Sequence, residues 1–267
     1  MKVLSALTAL IFSFSHFPSA QQASPPGPSS SSQATTLLTQ SVAALMGQAA
    51  LSDVILSGSA RRLAGSDDET GSGVLMAITD GASRMDLSLP SGTWNEILST
   101  SLAQPSGSWT GPDGLTHQMA FHNLLVGSSW FFPVFPIARG LSAAGYVATY
   151  VGPEIHNGQA VVHVSVSQVS TAYIPQTVVA LQQLSKLDVF LDSLTLLPAA
   201  VSFNMHPDND ALVDIPIEVR FSDYRSVKSS QVSFHIQKYM NGSLILDFQA
   251  QSATLNSGLS PSQFTVQ

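Results

Sequence analysis

Three dipeptides constrain the fold of this chain more than any other feature: Asp80-Gly81, Asn157-Gly158 and Asn241-Gly242. Each stands between two runs in which apolar and polar residues alternate. Val74–Thr79 and Ala82–Leu89 flank the first, Tyr146–Ile155 and Gln159–Val169 the second, Val232–Met240 and Ser243–Thr254 the third. Asn tolerates the left-handed region and Gly has no Cβ, so these pairs accept the positive φ angles that tight hairpins require. Gly111-Pro112-Asp113-Gly114 marks a further turn. The chain is expected to consist mainly of antiparallel hairpins.

The alternation also assigns a face. Ile215, Ile217, Val219 and Phe221 point one way, with Pro216, Glu218 and Arg220 opposite; Val232, Phe234 and Ile236 oppose Ser233, His235 and Gln237. A sheet that is apolar on one side and polar on the other is covered on one side only. Helices supply the expected cover. From Thr35 onward, Leu37, Leu38, Val42, Leu45, Met46 and Ala49 recur at helical spacing, with Thr35 or Thr36 as cap and Gly47 near the end. A second helix is expected at Gln176–Lys186, and one or two more between Phe121 and Ala144. The fold class is therefore α+β: a large curved antiparallel sheet, mostly a meander, with a few helices on its concave face.

The chain begins with Lys2, an apolar run over Val3–Phe14 and a small residue at Ala20, the order of a secretory leader and too short to span a bilayer of roughly 30 Å. Residues 1–20 are expected to be a signal peptide, 21–34 a disordered Pro/Ser-rich linker and 35–267 one domain, so the mature chain carries no transmembrane segment. Export, to the periplasm or beyond, agrees with 10% charged residues against about 25% in an average soluble chain. There is no cysteine, which removes thiol chemistry, disulfides and a lipoprotein anchor. A net charge of −7, with Arg61-Arg62 as the one basic pair, makes nucleic acid an unsuitable partner.

The second half resembles a known superfamily. Leu187–Pro198 (LDVFLDSLTLLP) is similar to a strand, Asp, turn, Leu-Pro, strand hairpin of LolA/LolB-like proteins, the periplasmic lipoprotein carriers and their relatives. Phe221–Val227 (FSDYRSV), Val232–Ile236, Tyr239–Asp247 with its Asn241-Gly242 turn, and Asn256–Leu259 followed by Phe264 resemble that superfamily's closing strands. The likeness covers about the last eighty residues. Ser233 stands where the family pattern has proline, and Phe121–Ala144 has no counterpart. The resemblance implies a half-barrel with an apolar cavity beneath the helices, occupied by acyl chains or a partner protein. It implies no cofactor and no catalysis; the expected partner is a lipid, an acyl chain or a lipidated protein.

No hydrolase, zincin or P-loop signature is present. His206-Pro207-Asp208-Asn209-Asp210, with Asp214, offers oxygens to Ca²⁺ but lacks the glycine and bidentate Glu of an EF-hand, and a solvated loop between strands is the stronger reading. His117 and His122, near Asp113, fall five residues apart and share no face, so no metal site is expected. Trp130-Phe131-Phe132-Pro133-Val134-Phe135-Pro136 is the most apolar mature segment, and its prolines interrupt any regular helix. Core packing competes there with a cavity mouth; for the second reading Trp130, Phe131, Phe132 and Phe135 are the expected ligand-binding residues. Trp94 and Trp109 read as ordinary sheet residues. The alternative function is a secreted interaction module with a filled core.

Overall fold

The computed structural model describes residues 29–48, 50–99, 105–169 and 175–266. The expected leader and residues 21–28 of the expected linker lie outside them. Helix α1 (Ser32–Met46) starts three residues before Thr35 because Ser31 caps it, its hydroxyl accepting from the Ala34 N–H at 3.0 Å. Gly47 ends it at φ 61°.

Two meanders follow. The first comprises β1 (Asp53–Ala64), β2 (Asp67–Ile78), β3 (Ser83–Leu89), β4 (Gly92–Ser99), β5 (Ser106–Thr110) and β6 (Thr116–Gln118). The second comprises β7 (Tyr146–His156), β8 (Gln159–Gln168), β9 (Leu187–Asp192), β10 (Pro198–Met205), β11 (Ile215–Val227), β12 (Ser230–Met240) and β13 (Ser243–Leu255). The first and last strands pair antiparallel, so the described strands form one 13-stranded sheet, β6-β5-β4-β3-β2-β1-β13-β12-β11-β10-β9-β8-β7. The sheet is not closed; it is the large curved antiparallel sheet expected from the alternation, in the half-barrel form that the resemblance implied.

Asn157-Gly158 and Asn241-Gly242 form the two-residue turns, with φ of 50° and 79° at the first and 48° and 75° at the second. The Asp80-Gly81 connection is wider, spanning residues 79–82, with Gly81 at φ 97°. Between β1 and β2 the chain reverses at Gly65-Ser66, and Asp67-Asp68-Glu69 opens β2, where Asp68 pairs with Arg61 across the ladder.

The concave face is packed by α1 and by α2 (Val134–Ser142), which lie against each other and against β12 and β7. Helix α2 grows out of the Trp-Phe-Phe-Pro segment. Pro133 caps it and Pro136 falls in its first turn, where a missing N–H breaks no helical bond. Helix α3 (Pro175–Leu184) forms where a second helix was expected but not as core cover: none of its described side chains is buried. Val178, Leu181 and Leu184, at i, i+3 and i+6, are half-buried, and Val179 is exposed.

Candidate functional site

The strand register lays the inward residues out in rows. Tyr150, Val164, Val189, Val201, Val219, Lys238, Leu246 and Arg62 are successive partners across β7-β8-β9-β10-β11-β12-β13-β1. The five valines and leucines from Val164 to Leu246 are at most 4% exposed. Two cations thus sit on the apolar face of one row, on either side of Leu246. Lys238 is itself only 8% exposed.

Curvature brings remote strands to this row. Glu96 on β4 lies five strand spacings from Lys238, roughly 24 Å along the sheet at about 4.8 Å each. Its Oε2 nevertheless stands 3.9 Å from the Lys238 Nζ. Its Oε1 accepts the Trp130 indole N–H at 3.1 Å, and the Lys238 ammonium stands 4.4 Å from the Trp130 ring centroid. Beyond these three side chains opens a cleft of about 810 Å³.

The cleft is lined mainly by apolar side chains: Met85, Leu87, Trp94, Trp109, Met119, Met205, Met240, Leu244 and Leu246. Four of the seven methionines in the chain are among them. Unbranched, polarizable thioethers suit a wall that must accept variable apolar shapes. One side is a stacked series. The Arg62 guanidinium lies 3.7 Å over Trp94, Trp94 stacks on Trp109 at 5.5 Å, and Trp109 stacks on His117 at 4.1 Å. Burial lowers Arg62 from its ordinary value, against the pull of the Glu69 and Asp67 carboxylates.

The loop from β10 to β11 closes another side. His206, 3% exposed, donates through Nδ1 to the Val213 carbonyl at 3.0 Å, and its backbone N–H and C=O both bond the Asn123 side chain at 2.8 Å. His122 donates to the Pro207 carbonyl at 3.1 Å and meets His206 edge-to-face at 5.8 Å. The structure therefore joins His122 to His206, whereas His117 belongs to the Trp109 stack. Among the described residues no three His, Cys, Asp or Glu side chains stand close enough to hold a metal ion.

The four aromatic residues expected at a ligand lie elsewhere in the concave layer. Trp130, Phe131, Phe132 and Phe135 are 1–4% exposed, packed edge-to-face in pairs within the core, and none borders the large cleft. Trp130 borders a void of about 20 Å³ beside Glu96 and Lys238. The cleft residues that sequence reading passed over are Trp94, Trp109, the four methionines, Arg62 and Lys238. One signal was present for the cations: Lys238 continues the inward parity of Val232, Phe234 and Ile236, and Arg62 that of Val54, Leu56 and Ala60.

No protein-family model matches the chain, and no curated protein matches it by sequence. Solved structures do match. A LolA superfamily protein from Nitrosomonas europaea aligns over 87% of this chain and 97% of its own, with a TM-score of 0.52 and 10% identity. A domain named for outer-membrane lipoprotein sorting, from Vibrio parahaemolyticus, gives 87% and 96% coverage, 0.52 and 10%. The fold is LolA-like. A DUF1329 family protein from Desulfovibrio piger shares it as well, at a TM-score of 0.53 and 13% identity over 87% of this chain and 96% of that one. At such identities the LolA-like likeness is one of backbone path, and the activity has to be argued from the cleft.

Proposed function

We propose that this protein is an exported, non-catalytic carrier that holds the acyl chain of a lipid or lipidated partner in the concave cleft. The observation that carries the reading is the cleft itself: about 810 Å³, walled by methionine, leucine and tryptophan side chains. Its size falls within the roughly 300–1,000 Å³ range of small-molecule sites, and apolar walls with few polar groups are their usual make-up. An acyl chain entering it gains about 0.8 kcal/mol per methylene removed from water. The leader pattern supports export, and no helix among the described residues is long and apolar enough to cross a membrane.

In this reading the ligand lies against Trp94, Trp109 and the methionines. Trp130, Phe131, Phe132 and Phe135 contribute from beneath, as the packed layer that fixes Glu96 and Lys238. The interaction-module alternative calls for a filled concave face, which the cleft disfavours.

Native mass spectrometry of the mature protein from its producing cells, before and after solvent extraction, tests the proposal. The expected result is a lipid mass that extraction removes and a fluorescent fatty acid restores. A bare protein mass together with failure to bind the fluorescent fatty acid overturns it.

A further inference from the structure

The charged groups of the cleft are left unsatisfied in a one-sided way. Among the described cations, Arg61, Arg84, Lys186, Arg220 and Arg225 each pair with a carboxylate at 2.5–2.9 Å, and Lys228 donates to the Leu255 carbonyl at 2.9 Å. Arg62 and Lys238, like Arg139 outside the cleft, are different: among the described residues none of these three side chains donates a hydrogen bond to an acceptor, and Arg62 and Lys238 are the two that line the cleft. Arg62 rests on the face of Trp94, and the Lys238 ammonium meets the Glu96 Oε2 only as a long ion pair at 3.9 Å, beyond hydrogen-bonding reach. A guanidinium carries five donors and an ammonium three, and neither head is sealed from water: both open onto the cleft with donors free for a ligand.

The register makes these two one site. Arg62 on β1 and Lys238 on β12 flank Leu246 on the intervening β13, so their Cα atoms are about 10 Å apart with both side chains on the concave face. Long, flexible side chains at that separation can close on one small anion from two sides. The acidic groups nearby do not fill this role. Glu96 spends one oxygen on the Trp130 indole, and Asp208 at the rim is exposed to water.

We propose that Arg62 and Lys238 form an oxyanion anchor, so that the cleft takes a single-chain amphiphile with a carboxylate or phosphate head between the two cations and its tail among the methionines. The inference rests on the carrier reading and narrows it to anionic ligands. Charge-assisted hydrogen bonds are the strong ones, and bidentate capture by a guanidinium suits both heads.

The test titrates the delipidated mature protein at neutral pH with four ligands of equal chain length: dodecanoate, dodecyl phosphate, methyl dodecanoate and dodecyltrimethylammonium. Tryptophan fluorescence reads binding, since Trp94 and Trp109 line the cleft. One or both anions are expected to bind about ten- to a hundredfold tighter than the ester, and the cation weakest. The tighter of the two anions identifies the head group. In Lys238→Met and Arg62→Gln the acid-to-ester ratio falls toward one, whereas Lys238→Arg and the surface control Lys186→Met keep it. Equal binding of acid and ester, or tighter binding of the cation, overturns the anchor and leaves the carrier reading standing. Binding of none of the four overturns both. The ligand comparison on the unaltered protein decides the matter even where a variant fails to fold.

Discussion

At the start of β1 the carboxylate of Asp53, 1% exposed, accepts four hydrogen bonds: from the Ser257 N–H at 2.7 Å, the Ser257 hydroxyl at 2.6 Å, the Gly258 N–H at 3.0 Å and the Ser52 hydroxyl at 2.8 Å. Burial raises its pKa, but the Ser257, Ser52 and Gly258 hydrogen bonds outweigh that and hold it below the ordinary 3.8. A carboxylate so depressed contributes stability that is fully present above its unfolded value and is lost as pH falls through the folded value. Asp53→Asn is therefore expected to cost about 1–3 kcal/mol at neutral pH. The deficit should begin to narrow below about pH 4, where the unfolded chain's carboxylate takes up a proton while the native one stays charged, and close as pH falls through the depressed native value. Urea unfolding of both proteins from pH 7 down to about pH 3 checks this; equal stability at neutral pH would count against it. The sequence marks Asp53 only as a polar residue before an apolar run, because three of its four hydrogen bonds come from Ser257 and Gly258, 204 and 205 positions away, and nothing local announces them. Lys238 and Arg62 were more legible, since each breaks the apolar parity of its own strand.

Hairpins were the most legible elements because their chemistry is local: Asn and Gly at the turn, alternation on either side. Helix α2 was obscured by Pro133 and Pro136, which read as breakers until the helix start is known to lie between them. The β1–β13 seam was invisible for the opposite reason, being a contact between the ends of two meanders. Its ladder slips one residue on β13 opposite Ser57/Gly58, and a Cβ placed on Gly58 would lie 2.0 Å from the Gln249 carbonyl oxygen. That oxygen is backbone, so the seam itself would have to move. Gly158 sits in a hairpin turn at φ 79° with nothing within 4 Å of its added Cβ. Gly158→Ala is then expected to cost about 1 kcal/mol from backbone strain alone, and Gly58→Ala about 3 kcal/mol from the forced shift. Urea midpoints at equal slope measure both, and the reverse order would refute the assignment of Gly58 to a close-packed seam.

At the scale of the whole molecule, the cleft exists because β4 curls over to β12, a consequence of sheet curvature that no residue pattern encodes. The same curvature divides the concave layer. On one side α1, α2 and the Trp130–Phe135 cluster fill the space; on the other about 810 Å³ is left between methionine and tryptophan side chains. A ligand that enters the second region binds only the folded chain, so its binding free energy appears as stability. At a hundred times its Kd an anionic amphiphile adds about 2.7 kcal/mol, which for a chain of this size raises Tm by roughly 5–10 °C. Filling the cleft from within should act in the opposite sense on that response. Leu244→Trp places an indole where the tail would lie, so the dodecanoate-induced rise in Tm should fall to a small fraction of the native one. Thermal scans with and without dodecanoate check both halves. A native protein whose Tm does not respond to a ligand shown to bind would mean that the ligand occupies a surface also present in the unfolded chain, and the cleft would lose its claim. An undiminished response in Leu244→Trp would place binding outside the cleft.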